Sequence, residues 1–258
     1  MVAGWRGRAR SAFIGGQDAW PLAVVKLDRS RYARLMCGRF QSTTSPADLA
    51  RLFTTTGPLP NTTPRYNAAP TQDLPIVLHG PGTGKRRLVA LRWGLIPFWA
   101  KDAKIRYTTI NAMAETVATT RAFRDAFKSR RCLVPADAFY EWKKVDAKTK
   151  QHYRFAMADG APFAFAGLWD FASGEAVRRF TIITCQPNAL CTPIHNRMPV
   201  ILDSIDHPAW LGEAAASGDE LQGLLRPFPA DLMDAHMIGP RIRDVKNDDA
   251  ALIERLEA

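Results

Sequence analysis

Between His152 and Leu202 the chain breaks into four short runs: His152 to Ala158, Pro162 to Trp169, Arg178 to Cys185 and Met198 to Leu202. Each is apolar or alternating, and Asp-Gly, Ser-Gly and Pro-Asn pairs separate them. Successive strand residues point to opposite faces, so short runs of this kind bounded by turn formers read as strands. Upstream, Arg87 to Trp93 alternates in the same way and is joined to Leu74 to Leu78 by a turn over His79 to Lys85, which predicts a hairpin. Gly57 through Pro70 is proline-rich and polar and reads as an extended surface loop. Helices are few. Ser45-Pro46-Ala47-Asp48 supplies an N-cap serine and a first-turn proline ahead of Leu49, Leu52 and Phe53. Phe123 and Phe127, spaced i, i+4, predict a helix over Thr120 to Lys128. Asp203 or Ser204 caps another through Trp210 and Leu211, and Asn247-Asp248-Asp249 leads into a last one ending near Leu256. The expectation is an α+β fold: one β-rich domain with a curved, barrel-like, mostly antiparallel sheet and flanking helices, without repeats or an internal linker.

The chain has 258 residues, 47% hydrophobic and 23% charged, with a formal net charge of +10. That composition suits one ordinary globular core, and the charge favours an anionic partner. Residues 1–35 hold seven Lys or Arg against two Asp, show no sustained period, and read as a basic leader that is disordered or absent from the mature protein. They make a poor signal peptide, because Gln17 and Asp18 interrupt any apolar segment after the arginines. The domain then runs over residues 36–258. No stretch approaches the roughly 18 apolar residues a transmembrane helix needs, so a cytoplasmic protein is expected, nucleoid-associated if bacterial. Its cysteines, Cys37, Cys132, Cys185 and Cys191, should stay reduced there, and they form no C-x-x-C pair, so no metal site is expected.

Cys37 follows Met36, which could be a translation start. A chain beginning at Cys37 would carry an α-amine and a thiol on adjacent carbons, with ordinary pKa values of about 7.7–8.0 and about 8.5. That aminothiol can condense with an aldehyde through nitrogen and close a five-membered thiazolidine through sulfur. An internal cysteine can do neither. Three further clusters place polar groups among apolar ones. Asn111, in Thr109 to Thr116, could orient a substrate, and Trp93 and Trp99 upstream could offer stacking faces, although by burial habit an asparagine there is more often a turn or cap residue and a tryptophan more often core. Glu141 is wedged between aromatics in Phe139-Tyr140-Glu141-Trp142, suited to acid–base work if buried, or to pairing with Lys143 or Lys144 if it faces outward. His195 and Arg197, two apart at a strand entry, could shuttle a proton and hold a phosphate. Gly80 to Lys85 is one residue short of a phosphate loop, and Arg86 stands where Ser or Thr is required, so it reads as a turn.

Taken together, Met36-Cys37-Gly38-Arg39-Phe40, Arg65-Tyr66-Asn67-Ala68-Ala69-Pro70, Trp93-Gly94-Leu95-Ile96-Pro97, Asn111-Ala112 with Glu115-Thr116, Arg131-Cys132 to Glu141-Trp142, and His195-Asn196-Arg197-Met198-Pro199 resemble the SRAP family of SOS response-associated peptidases, motif by motif and in order. The resemblance runs from Met36 to near Leu256. It implies abasic-site processing in single-stranded DNA during the DNA damage response. Cys37 would be the nucleophile, Asn111 would orient the sugar or the amine, Glu141 would act as general acid and base, and His195 would assist proton transfer. The product would be a thiazolidine crosslink, with autopeptidase and abasic-site lyase as related activities. Arg39, Trp99, Arg121 and Arg197 would contact the strand, the protein would act as a monomer, and no metal or organic cofactor would be needed.

Two positions depart from the family pattern. Met113 replaces the arginine of Asn-Ala-Arg, removing a phosphate contact, and Ala138 replaces a glycine, which would strain the Glu141 loop if that position needs a positive φ. Two other readings remain open on the residues alone: a cysteine hydrolase built on Cys37, His195 and Asn111, and a noncatalytic single-strand binder.

Overall fold

The computed structural model describes residues 38–80, 84–97, 109–171 and 178–257. Cys37, Trp99 and the leader expected over residues 1–35 lie outside the described residues.

Thirteen strands form two sheets among the described residues. The first, ordered β13-β8-β7-β1-β2, is antiparallel throughout: β13 is Met233–Ile238, β8 Lys150–Met157, β7 Ala138–Lys144, β1 Phe40–Ser42 and β2 Arg65–Ala68. The second runs β10 (Arg178–Cys185), β4 (Arg86–Trp93), β3 (Asp73–His79), β6 (Arg131–Ala136) and β9 (Phe163–Phe171), and β9 pairs back onto β10. Those five pairings close a ring, which is the barrel-like sheet expected from the sequence. β5 (Asn111–Met113), β11 (Met198–Pro199) and β12 (Ile201–Leu202) attach to its rim. Two pairings, β10–β4 and β10–β5, are parallel, and the rest are antiparallel.

An aromatic core joins the two sheets. Phe40 of β1 meets Trp93 of β4 at 5.1 Å and Phe165 of β9 at 5.8 Å between ring centroids. Phe139 of β7 stacks on Phe155 of β8 at 4.8 Å. All five rings are fully buried, each contributing roughly 1.5–3 kcal/mol from removal of apolar surface from water. A smaller cluster of Tyr140, Ile238, Ile242 and Leu252 packs on the opposite face of the first sheet.

The predicted hairpin is present with full register, from Asp73↔Arg92 to His79↔Arg86. Helix α1, Pro46–Leu52, begins as expected, Ser45 accepting from the Asp48 amide. Other elements differ. Helix α2 spans only Arg124–Ser129, because Thr116 to Phe123 is spent on turns such as the Phe123 N–H to Thr120 carbonyl bond. After Asp203 caps a 3-10 turn, α3 covers His207–Leu211. The expected last helix is a 3-10 turn at Ala250–Ile253, since the following chain straightens and the Leu256 amide bonds the Met237 carbonyl. Strands β2 and β13 and helix α4, Gly218–Gly223 with its Ser217/Glu220 capping box, carried too little periodic signal to be predicted. No helix among the described residues is long and apolar enough to cross a membrane.

Candidate active site

The first described residue, Gly38, enters between two of the candidate groups. Phe40 pairs with Phe139, and the Tyr140 amide bonds the Arg39 carbonyl at 3.2 Å. Continuing that antiparallel register by one residue sets Gly38 opposite Glu141. A methyl group built on Gly38 would lie 3.9 Å from Ile110 Cδ1, so the strand carrying Asn111 flanks the same point.

Glu141 is only 2% exposed. It alternates with Tyr140 along β7 and shares the face of Phe139, which looks into the aromatic core, whereas Tyr140 packs in the second cluster. Outward pairing with Lys143 or Lys144 is thereby ruled out. His195 meets it there, Nδ1 lying 3.9 Å from Glu141 Oε2. The Arg197 amide and the Arg197 carbonyl each lie 3.3 Å from the same nitrogen, so the Arg197 backbone can hold the ring in either tautomer. Burial lowers the His195 pKa below the ordinary histidine value, with Lys150 and Arg197 adding to the shift and the Arg197 carbonyl opposing it. The imidazole is therefore neutral at pH 7 and able to accept a proton.

A turn that sequence reasoning missed holds the histidine. Asn188 Oδ1 accepts from the Cys191 amide at 3.0 Å, its Nδ2 donates to the Phe228 carbonyl at 2.8 Å, and the His195 amide bonds the Cys191 carbonyl. Asn188 was visible in the sequence only as half of a Pro-Asn turn signal. The three described cysteines are poor nucleophiles here. Burial pushes the Cys132 thiol well up, and Cys185 and Cys191 each to about 12, the Cys191 shift being reinforced by the Glu141 charge.

Asn111 is half-buried on β5, paired in parallel with Ile182 of β10. Met113 shares its strand face and is 42% exposed. Trp93 is a core residue: fully buried, it donates from Nε1 to the Ile110 carbonyl at 3.0 Å and offers no stacking face. Ala138 is buried in β7 and is not among the residues of positive φ, so its replacement of glycine introduces no backbone strain.

The expected strand-binding arginines are placed differently from one another. Arg121 is exposed. Arg39 is half-buried, its guanidinium pKa lowered by burial and raised in part by Asp244. Arg197, read from the sequence as a phosphate ligand, is 5% exposed and already engaged. Its two terminal nitrogens donate to Glu115 at 2.5 and 2.9 Å, and one also donates to the Thr184 carbonyl at 2.5 Å. Glu115 stood in a recognised motif, yet nothing in its spacing pointed to Arg197.

The profile of the SOS response associated peptidase (SRAP) family matches residues 36–245. Abasic site processing protein YoqW of Bacillus subtilis (strain 168) is 42% identical over 224 residues, 85% of this chain and 99% of that protein. Abasic site processing protein HMCES of Xenopus tropicalis is 29% identical over 211 residues, 65% of this chain and 63% of that protein. A crystal structure of a protein from Bacteroides thetaiotaomicron superposes with a TM-score of 0.74 at 26% identity, covering 84% of this chain and 100% of that one. A profile match that begins at Met36 and takes in Asn111, Glu141 and His195, together with a bacterial relative similar across nearly its whole length, establishes that this chain belongs to the SRAP family.

Proposed function

We propose that this protein processes abasic sites in single-stranded DNA by covalent capture through Cys37 as the N-terminal residue. The observation that carries the reading is the pairing of buried Glu141 with half-buried His195, which lies where Gly38 enters the domain, one residue after Cys37. The ring-opened abasic deoxyribose presents an aldehyde. The Cys37 amine adds to its carbon, and Glu141 takes a proton shed by the amine nitrogen and delivers it to the departing hydroxyl, so that water leaves and an imine forms. His195 accepts the thiol proton as sulfur adds to the imine carbon and closes the thiazolidine, and it passes that proton to the ring nitrogen. Asn111, on the adjoining rim strand, orients the sugar.

A ring closed by nitrogen and sulfur resists the β-elimination open to an imine, so the adduct shields the lesion from strand scission. Lyase chemistry is the same path diverted at the imine. Autocleavage, or initiation at Met36, would expose the Cys37 amine. Arg39 and Arg121 would neutralise phosphates and Trp99 would stack on an unpaired base, while Arg197 would act behind Glu115. None of these contacts reads a base edge, so selectivity rests on the aldehyde.

Denaturing electrophoresis of Cys37-start protein and of the full chain, each with abasic and intact single-stranded oligonucleotides, tests the reading. A denaturant-resistant band is expected only for the Cys37-start form on the abasic strand. Its absence there overturns covalent capture; an equal band from full chain that still carries residues 1–36 would show that the free amine is not required.

A further inference from the structure

Glu115 is an exposed carboxylate in a protein of net charge +10, placed where the proposed function brings a polyanion. It is two residues beyond Met113 and four beyond Asn111. Its side chain is 41% exposed, yet both oxygens are committed to the buried guanidinium of Arg197. Gln186 Nε2 approaches the same carboxylate at 3.4 Å. The hydrogen bonds from Arg197, ahead of any opposing desolvation, hold the Glu115 pKa below the usual carboxylate range, so the pair is ionic at neutral pH.

The pair is also mechanically connected to the histidine. Arg197 is anchored on β10 through Thr184, whose neighbour Cys185 pairs with Met198. From this anchored residue the backbone amide reaches His195 Nδ1 at 3.3 Å, and the same ring faces Glu141. A bidentate arginine–carboxylate contact fixes the plane of the guanidinium as well as its position. Releasing it frees the Arg197 side chain and loosens the two-residue link that aims the imidazole. It also leaves a cation with less compensating charge next to the rim strand that carries Asn111.

We propose that Glu115 is a positioning residue with two opposed effects: it fixes His195 against Glu141 through Arg197, and it masks the Arg197 cation from DNA phosphates. The inference rests on the proposed abasic-site reading for its first effect and on charge alone for its second. Removing the charge should therefore slow capture while strengthening strand binding, a combination that general loosening of the fold does not produce.

The test uses Cys37-start protein with Glu115→Gln and Glu115→Asp. E115Q should bind an intact oligothymidylate at least as tightly as the parent at low salt. Its logarithmic salt slope should steepen by about 0.7, the single-strand value for one more neutralised phosphate. Its capture rate at saturating abasic strand should fall at least fivefold. E115D keeps the charge but not the reach, so it should keep the parent salt slope and lose at least threefold in rate. Equal losses of binding and rate in E115Q, an unchanged salt slope, or a rate within twofold of the parent overturns the proposal. Should E115Q fail to fold, E115D decides: parent slope with reduced rate sustains it, and parent rate overturns it. If the unsubstituted protein captures no abasic strand, the functional reading fails, and the salt slope still reports on masking.

Discussion

At Glu141 the chain spends a buried position on a carboxylate. The side chain shares a strand face with Phe139 and lies 3.9 Å from the His195 ring, an arrangement suited to moving a proton and costly for stability alone. Glu141→Gln keeps the shape and much of the hydrogen bonding but cannot exchange a proton. Capture of abasic single strands at saturation should therefore slow by about 10²- to 10⁴-fold, the usual worth of a positioned acid or base. Affinity for an intact strand should stay within about twofold, because in the proposed function it rests on phosphate neutralisation by surface cations, which the substitution leaves in place. Single-turnover gels and fluorescence anisotropy separate the two, and parallel losses would make Glu141 a structural residue. The sequence made this glutamate conspicuous by setting it among aromatics. It did not settle which face of β7 it occupies, because Lys143 and Lys144 offered an outward alternative; the aromatic core beneath Phe139 decides that question.

Elements were legible where a short turn joins two apolar runs, as in the β3–β4 hairpin, although β3 is buried along most of its length, and less so where pairing is set by distant chain. Strand β2 is an example: its amides at Tyr66 and Asn67 are held by Asp248 Oδ1 at 2.6 and 3.0 Å, far along the sequence. The turn bearing His195 is another, since Asn188 makes its contact with Phe228 only after both segments have packed. Closure of the barrel depends on a residue that local pattern also left unmarked. Gly167 on β9 lies between β6 and β10, and a methyl group there would sit 2.8 Å from both Cys132 Sγ and Val134 Cγ2 and 3.2 Å from the Thr181 carbonyl oxygen. Neither neighbouring side chain has room to yield in a fully buried wall. Gly167→Ala should destabilise the domain by about 1–3 kcal/mol, the ordinary cost of overpacking, read as a lower urea midpoint with an unchanged slope. A midpoint equal to the parent would mean that the wall relaxes freely.

The molecule as a whole carries three histidines whose pKa values are lowered, and burial is the first cause in each: His152, His195 and His207. Arg243 and Lys150 add to the shift at His152, and Arg86 adds to it at His207, where the Leu202 carbonyl and Asp203 and Asp206 oppose it. Each group binds its proton more readily in the unfolded chain, so between the folded and unfolded values the unfolded state holds more protons and stability rises with pH. The contribution is fully present above about 6.5, the unfolded value, and is lost as pH falls through the lowered folded values. Asp73, Glu115 and Glu213 have folded pKa values lowered chiefly by hydrogen bonds from arginine, so their contributions persist to more acid conditions and are lost only below about pH 4. Acid destabilisation should consequently come in two stages, a histidine stage below about pH 6.5 and a carboxylate stage below about pH 4. Thermal midpoints of Cys37-start protein taken from about pH 7.5 to about 3.5 should show both. Replacing His152 and His207 together by glutamine should flatten the first stage by up to about two-thirds, on equal shares, while leaving the second in place. His195, kept in that variant, accounts for the remainder. A midpoint that is flat from about pH 7.5 to about 5, or a first stage untouched by the double replacement, would show that buried histidines do not set the acid limit of this fold.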